Sequence, residues 1–512
     1  MISLNFLLYL PFDMKTILLF GAGKSATVLI NYLVKNGPAN DWKLIVADAD
    51  LKLAKSKIRN SDRDVAVSFD VNDEEKRNQY IGKSDIVISL LPPTLHYTIA
   101  KHCVRLKKDL LTASYLNKEI ESLRNEIDNN NLLFLCEMGL DPGIDHMSAK
   151  KLIDEILEKG GKITSFISHC GGLVAPESDD NPWHYKISWN PKNVVNAGKA
   201  GAVYKQNAVV KELSYPKIFE GKRYVTLSTE EIFCWYPNRD SLVYIDAYGL
   251  NDCATLIRTT LRHPDFIYGW KNIVDLKLTD ETIFYETDGL TLMDFFKQHM
   301  ERNNFNEWLE IKLKKQFEET QALLNNLVNL VKLQEDSGEE KLRSVDDMMM
   351  VNEKGNLQEL DMEDVKNNAA ATIAFKMHES KLTLRQLFYL GMDDDKTFIN
   401  KGRCSAADVL QFALEVKLPL KETDKDMVVM MHEIEFELEN IKKKIESSFV
   451  LTGDDNQRTA MAKTVGLPLG IAARLILNGS IKLKGLHIPT SQEIYEPVLK
   501  ELEENGMKFT SH

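Results

Sequence analysis

Three carboxylates and a histidine crowd one short run, Glu137-Met-Gly-Leu-Asp141-Pro142-Gly143-Ile-Asp145-His146-Met147. Carboxylate and imidazole are the groups that carry protons in acid/base catalysis. Pro142 biases Asp141 toward an extended backbone, and Gly143 permits a turn. Asp145 reads as the N-cap of a helix running through Leu152 and Ile156. Capping leaves Asp141 and Glu137 unexplained. A loop this rich in such residues at the end of a strand is expected to touch a ligand.

A second constellation lies upstream. Thr16-Ile-Leu-Leu-Phe20 is a β-prone run, followed at once by Gly21-Ala22-Gly23-Lys24-Ser25-Ala26 and a helical pattern. Lys43-Leu-Ile-Val-Ala47 then ends in Asp48. Strand, glycine turn, helix, strand and acid form the dinucleotide-binding pattern. Gly21 allows the turn, and Gly23 has no side chain to block a pyrophosphate. Ala26 lets the helix pack closely, and the helix N-terminus faces the phosphates. Asp48 can accept from both ribose hydroxyls and would repel a 2′-phosphate, so NAD is expected over NADP.

These groups need a sheet to hold them. Val65 to Val71 reads as a third strand. Asp70 at its tip is either an acceptor for the adenine amino group, with Val71 over the ring, or a helix cap shared with Asn72. Ser84 to Pro93 is the fourth strand, whose exit carries Ser89, Leu90 and Leu91. His96 beyond it reads equally as a helix-start residue or a catalytic one. Leu110 to Tyr115 is the fifth, with Thr112, Ser114 and Tyr115 at its exit, and Leu132 to Cys136 the sixth. Six strands alternating with helices predict a doubly wound parallel sheet of the Rossmann type.

Composition bounds the rest. The 512 residues are 44% hydrophobic and 27% charged, as in soluble globular chains, and allow two or three domains. A net charge of −12 argues against nucleic acid as a partner. Six scattered cysteines with no C-x-x-C pair suggest neither a zinc site nor a disulfide framework, and fit a cytoplasmic setting. No metal is expected. Residues 1–13 are apolar but too short to span a bilayer, so no membrane partner is expected. They read as an extension ahead of a natural start at Met14.

The chain then becomes recognisable. The runs Val87-Ile-Ser-Leu-Leu-Pro92, Thr112-Ala-Ser-Tyr115, Glu137 to His146, Cys170-Gly-Gly-Leu-Val-Ala-Pro-Glu177, Asp180-Asn-Pro182, Tyr185-Lys-Ile-Ser-Trp189, Tyr236-Pro-Asn-Arg-Asp-Ser241, Thr255 to Arg262, Asp426-Met-Val-Val429 and Met461 to Gly466 closely resemble the glutamate-forming saccharopine dehydrogenases, or saccharopine reductases. The likeness covers about Met14 to Gly506. It implies reversible imine chemistry: glutamate condenses with 2-aminoadipate 6-semialdehyde, and a nicotinamide hydride reduces the imine to saccharopine. It implies a homodimer acting on a small amino-acid substrate.

The resemblance gives the residues roles. Saccharopine has three carboxylates, so cations should receive it. Arg239, between Asn238 and Asp240, resembles the family's carboxylate clamp. Arg258 and Arg262 are expected a helical turn apart on one face, with Thr259, Thr260 and Leu261 adding backbone contacts. Ser114 and Tyr115 resemble residues lying between cofactor and substrate. Asp141 is the expected acid/base group, its pKa raised beside an apolar nicotinamide; Tyr115 and His146 are alternatives. Leu140, Asp141, Pro142, Gly143, Ile144, Asp145, His146 and Met147 are expected to line the cofactor, with Asn190 a further contact.

One departure stands out. Fungal members carry a Cys-Arg-Thr run suited to NADP after the second strand. Here Asp48-Ala49-Asp50 stands there, which again points to NAD. Two rivals remain: a related imine reductase acting on a polyamine such as carboxyspermidine, and a catalytically silent NAD-binding regulator. The polyamine enzyme would want acids where this chain has Arg239, Arg258 and Arg262.

The expected architecture is α/β: a Rossmann domain (14–140 and 458–512), a substrate-binding α/β domain (141–279 and 421–457) and a helical insert (280–420). In the insert, Asn306 to Leu333 is amphipathic. Gln334 to Glu340 reads as an exposed linker, and Met348 to Met350 as packing. Ser405 to Asp408 is an acidic capping box. Val428 to Phe436 and Ser447 to Thr452 should form a hairpin, and Arg458 to Leu477 a helix interrupted by Gly466 and Pro468.

Overall fold

Strands buried on both faces read as continuous apolar runs, and five such strands with a more exposed edge strand, Val65–Ser68, make most of the nucleotide sheet. They are β1 (Lys15–Phe20), β2 (Trp42–Asp48), β3 (Val65–Ser68), β4 (Ile86–Ser89), β5 (Asp109–Thr112) and β6 (Leu133–Leu135). This computed structural model describes residues 14–512 apart from 60, 222, 228–230, 337–348, 352–356, 360–373, 375–376 and 380. The extension 1–13, the linker beyond Asp336 and Met348 fall outside the described residues, as do the side chains of Met349 and Met350.

The sheet is parallel, in the order β6-β5-β4-β1-β2-β3, with a seventh strand, Gly485–His487, beyond β6. The sequence predicts six; the seventh spans three residues, too few to carry a periodic signal. Chain order reverses between β1 and β4, which opens a crevice at their carboxyl ends where ligands bind. α1 (Ala26–Asn40) leaves the glycine turn after β1, and α2 (Leu51–Lys57) follows β2.

The helix Ala460–Leu477 packs on α1 and runs unbroken through Gly466 and Pro468, against the predicted interruption. The glycines serve contact instead: a Cβ at Gly466 would lie 2.8 Å from Leu29 N, and one at Gly470 would lie 2.6 Å from the Tyr32 ring. Among the described residues it is the helix long and apolar enough to cross a membrane, yet 72% of it is buried inside the protein.

The second sheet has ten strands. Lys162–Val174 runs at its centre, parallel to Thr255–Arg262 and antiparallel to Asp426–Leu438. Asp426–Leu438 and Ile441–Thr452 form the expected hairpin. Thr255–Arg262 is a strand, so Arg258 and Arg262 are not a helical turn apart. The β-branched run Thr255, Ile257, Thr259, Thr260 explains this. Arg258, Thr260 and Arg262 therefore share one face and Leu261 takes the other. The C-terminal Thr510–Ser511 pairs with Ile441–Thr452, so the chain ends on this sheet.

The insert contains the long helix Phe305–Asp336 and, at Ala406–Lys417, a helix opened by the predicted Ser405/Asp408 capping box. It is not purely helical: Phe284–Glu286 pairs with Arg403–Ser405, and Met349–Val351 with Leu357–Glu359. Its apolar residues share one core with Trp183, Tyr185 and Ile257 of the substrate region. A second core is continuous from β1 and α1 through Met138, Leu140 and Ile144 to Cys170 and Met430, joining the two sheets.

Candidate active site

The glycine turn is built as a phosphate cradle. Gly21 has φ +99°, and a Cβ there would meet Leu90 O at 2.9 Å, so only glycine fits. A Cβ at Gly23 would stand in open space, which leaves room for a ligand's phosphates. Ala22 and Ala26 are buried, whereas Gly23 and Lys24 are exposed. Ser25 starts α1 without capping it through its side chain. Lys24 Nζ reaches Ile187 O at 3.4 Å, tying this turn to the substrate region.

The acids after β2 are organised. Asp48 accepts from Ala22 N at 2.7 Å and Asp50 N at 2.9 Å. Asp50 caps α2, accepting from Lys52 N and Leu53 N. Ala49 is exposed, and its carbonyl accepts from Ser68 Oγ. Asp70 is exposed and accepts from Asn72 N, while the following helix is capped by Asp73 rather than Asp70 or Asn72. Val71, Leu90 and Leu91 are half-buried along the same edge, and Thr112 is buried.

The loop after β6 meets the substrate sheet at one arginine. Arg258 is 1% exposed, and its Nη2 lies 2.6 Å from Asp141 Oδ1 and 2.6 Å from Asp145 Oδ2. The Tyr115 hydroxyl donates to Asp141 at 2.8 Å. Arg258 also stacks on the Tyr244 ring, 4.6 Å from its centroid, while its Nη1 is buried with no hydrogen-bond partner among the described residues. Arg239, at φ +55°, lies over the Tyr115 ring, 4.6 Å from its centroid. Asn238 Nδ2 reaches the Tyr115 hydroxyl at 3.4 Å.

The electrostatics separate the two acids. Burial, reinforced by Asp145, raises Asp141 above the usual carboxylate range, and Arg258 only partly opposes it. Burial would raise Asp145 too, but His146, Arg258 and the Gly143 N–H outweigh it and hold this carboxyl low. Burial first, then Asp141, pushes Tyr115 well above its ordinary value. The two carboxyls on Arg258 are thus shifted in opposite directions, Asp145 down and Asp141 up.

Asp145 does not cap its helix as expected; Gly143 occupies that position. The Asp145 carboxylate accepts the Gly143 N–H at 2.6 Å and pairs with Arg258. His146 is fully buried: Nδ1 lies 2.6 Å from Tyr248 Oη, and Nε2 lies 2.7 Å from Glu137 Oε2. Glu137 sits at φ +60°, where non-glycine residues are strained, and also receives Leu116 N and Tyr244 Oη. This network backs the site rather than facing the cleft. Ile144 and Met147 are likewise packed in the core, Leu140, Pro142 and Gly143 are buried, and the Asp141–Pro142 peptide is cis.

Arg262 is buried, with Nη1 on Leu261 O and its guanidinium over Tyr185 and Phe266; its Nε has no partner among the described residues. Thr260 is half-buried, and Leu261 packs with Leu173 and Phe233 away from Arg258. Asn190 caps the short helix Pro191–Val195 through Lys192 N. Ser114 is half-buried beside Tyr115. Tyr244 and Tyr248 are functional neighbours that the sequence did not single out, since a tyrosine in an apolar stretch carries no signal of its long-range partners.

The fold also gathers His184, His263 and Asp265, whose potential ligand atoms lie within 4.8 Å of one another, from positions the sequence does not link. Their bonds are already assigned. His184 contacts Asp179 at 2.5 Å and Asp265 at 3.4 Å, and His263 Nδ1 accepts the Asp265 N–H at the start of a helix. Asp179, then Asp265, raise His184 to about 9.

Comparison with known proteins fits this geometry. Residues 17–135 match the family "Saccharopine dehydrogenase NADP binding domain", and residues 139–507 match "Saccharopine dehydrogenase C-terminal domain". The chain is 30% identical to a Saccharomyces cerevisiae protein named saccharopine dehydrogenase [NADP(+), L-glutamate-forming], covering 96% of this chain and 97% of that one. It is 33% identical to the alpha-aminoadipic semialdehyde synthase of Arabidopsis thaliana, covering 92% of this chain but 40% of that longer protein. The solved apo saccharopine dehydrogenase (L-Glu forming) from Saccharomyces cerevisiae superposes with a TM-score of 0.74 at 28% identity, covering 97% of this chain and 100% of that one. The chain belongs to the saccharopine dehydrogenase family of oxidoreductases.

Proposed function

We propose that the protein interconverts saccharopine with glutamate and 2-aminoadipate 6-semialdehyde, using NAD in preference to NADP. The observation that carries it is the Asp141–Tyr115 pair beyond the carboxyl ends of β6 and β5, bonded to Arg258 on the facing strand Thr255–Arg262. A bound nicotinamide supplies the hydride acceptor for saccharopine, or the hydride donor for the imine. Gly21 to Ala26 would hold its phosphates and Asp48 its ribose.

The protein's own groups handle protons and carboxylates. The secondary amine must lose a proton as its carbon gives up hydride. Asp141, with its raised carboxyl, accepts that proton directly or through the Tyr115 hydroxyl. The same pair then serves the water that adds to the imine and the amine that departs as glutamate. Arg239, Arg258 and Arg262 offer the cationic field that three substrate carboxylates require.

The preference for NAD rests on Asp48 and Asp50. Asp50 already fills the anion position at the N-terminus of α2, and Asp48 stands beside it. A 2′-phosphate would meet two carboxylates there. The matched family model and the fungal relatives are named for NADP, so the proposed preference for NAD departs from them and rests on these two acids. The proposal includes a homodimer working in the cytoplasm, and light scattering tests the dimer.

The test is nucleotide reduction at alkaline pH with saccharopine and either NAD or NADP, assaying glutamate release. Activity with NAD well above NADP supports both parts. Activity mainly with NADP removes the cofactor preference alone. NADH binding without activity on saccharopine removes the substrate.

A further inference from the structure

The tips of β4 and β5 carry a buried hydrogen-bonded chain that the acid/base chemistry leaves unused. Ser89 Oγ lies 2.8 Å from His96 Nδ1, and His96 Nε2 lies 2.8 Å from Ser114 Oγ. Thr112 Oγ1 stands 3.3 Å from the same Nε2 and accepts the Ser114 N–H at 3.2 Å. Ser89 is 0% exposed and His96 2%. Burial lowers His96 to about 4, so the ring is neutral at working pH.

A neutral imidazole has one donor and one acceptor, and which is which is normally open. Two buried hydroxyls compete to set it: Thr112 Oγ1 stands 3.3 Å from Nε2, whereas Ser89 Oγ stands 2.8 Å from Nδ1, so Ser89 makes the stronger bond and decides it. Its hydroxyl proton is buried, and His96 Nδ1 is the partner that the described residues offer it. Leaving that donor unsatisfied is the costlier arrangement. Ser89 therefore donates to Nδ1, and the ring proton sits on Nε2. Nε2 donates to Ser114 Oγ, so Ser114 must aim its own proton away from His96. Ser114 is the half-buried end of the chain, at the exit of β5 beside Tyr115.

We propose that His96 is a positioning residue that turns the Ser114 hydroxyl into an outward-facing hydrogen-bond donor for the carboxamide oxygen of the nicotinamide. The inference rests on the dinucleotide reading above. The placement follows from sheet order: ribose at Asp48 on β2 and phosphates at the turn after β1 leave β4 and β5, next across the crevice, for the second nucleoside. A neutral hydroxyl suits a neutral carboxamide, whereas carboxylates are better served by the arginines.

The experiment compares NADH with ADP-ribose, which lacks the nicotinamide, as ligands of the full-length protein and its variants. In His96→Phe and Ser89→Ala, NADH affinity should fall about tenfold, the scale of one hydrogen bond, while ADP-ribose affinity stays unchanged. His96→Gln, whose amide N–H can reach Ser114, should recover most of the loss. The pair His96→Phe and Ser114→Ala should be no worse than Ser114→Ala alone. Equal loss of both ligands would make His96 merely structural and overturn the proposal. Unchanged NADH affinity with a raised saccharopine KM would assign Ser114 to the substrate and also overturn it. Wild-type protein that binds neither nucleotide would instead remove the dinucleotide reading itself.

Discussion

The Tyr115 hydroxyl stands 2.8 Å from the Asp141 carboxylate, across the seam where the nucleotide sheet meets the substrate sheet. Asp141 also touches Arg258, and burial still raises its carboxyl. Asp141→Asn keeps the shape and removes the proton acceptor. Turnover of saccharopine should fall about 10²- to 10⁴-fold with little change in NADH affinity. In wild-type protein, activity should decline as pH drops through a value above the ordinary carboxylate range, because protonation disarms the base. Steady-state pH profiles check both points; near-normal turnover in the variant would take the role from Asp141.

Arg258 holds two carboxylates with one nitrogen. Arg258→Met leaves Asp141 and Asp145 buried and unpaired. Breaking such a pair costs about 3–5 kcal/mol, so the urea midpoint should drop sharply along with activity. Arg258→Lys should not restore the wild type, since an ammonium loses the guanidinium plane that lies 4.6 Å from the Tyr244 ring centroid. A lysine variant with full stability would show that the geometry of the pair is unimportant.

Asp48 accepts backbone N–H groups from both Ala22 and Asp50. Asp48→Ala should lower kcat/KM with NAD by about 10- to 100-fold, the worth of a hydrogen bond to a charged group. The loss with NADP should be smaller, narrowing the ratio between the two. Parallel assays with both nucleotides read this directly, and an unchanged ratio would place the discrimination elsewhere.

Asp179 and Asp265 raise His184 to about 9. A group raised in the folded state adds stability that is complete below its unfolded value of about 6.5 and is lost as pH rises through the folded value. The Tm of the wild type should therefore fall more between about pH 6 and about pH 9.5 than that of Asp179→Asn. Thermal melts at the two pH values make the comparison; equal falls would show that this pair contributes nothing to the pH dependence.

Much of the fold was legible because its signals are local. The glycine turn, the apolar parallel strands, the Ser405/Asp408 box and the alternating hairpin each declare themselves within a few residues, and the structure contains all of them. The strand Thr255–Arg262 departs from the helical expectation because two arginines four residues apart fit a helix and a strand face alike. The β-branched residues between them were the signal to weigh. The seventh strand of the nucleotide sheet was missed because three residues have no period.

By itself, the sequence determined the residue types and the family: a dinucleotide turn ended by an acid, a carboxylate-rich loop, and arginines for an anionic substrate. Only the tertiary structure separates the two carboxyls electrostatically. Asp141 and Asp145 are four residues apart and chemically identical in the chain. Folding sets both against Arg258, then surrounds Asp145 with His146 and the Gly143 N–H while leaving Asp141 to burial and the Tyr115 hydroxyl. That difference comes from groups on distant segments and from the water excluded between them, and neither is written in the spacing of the residues.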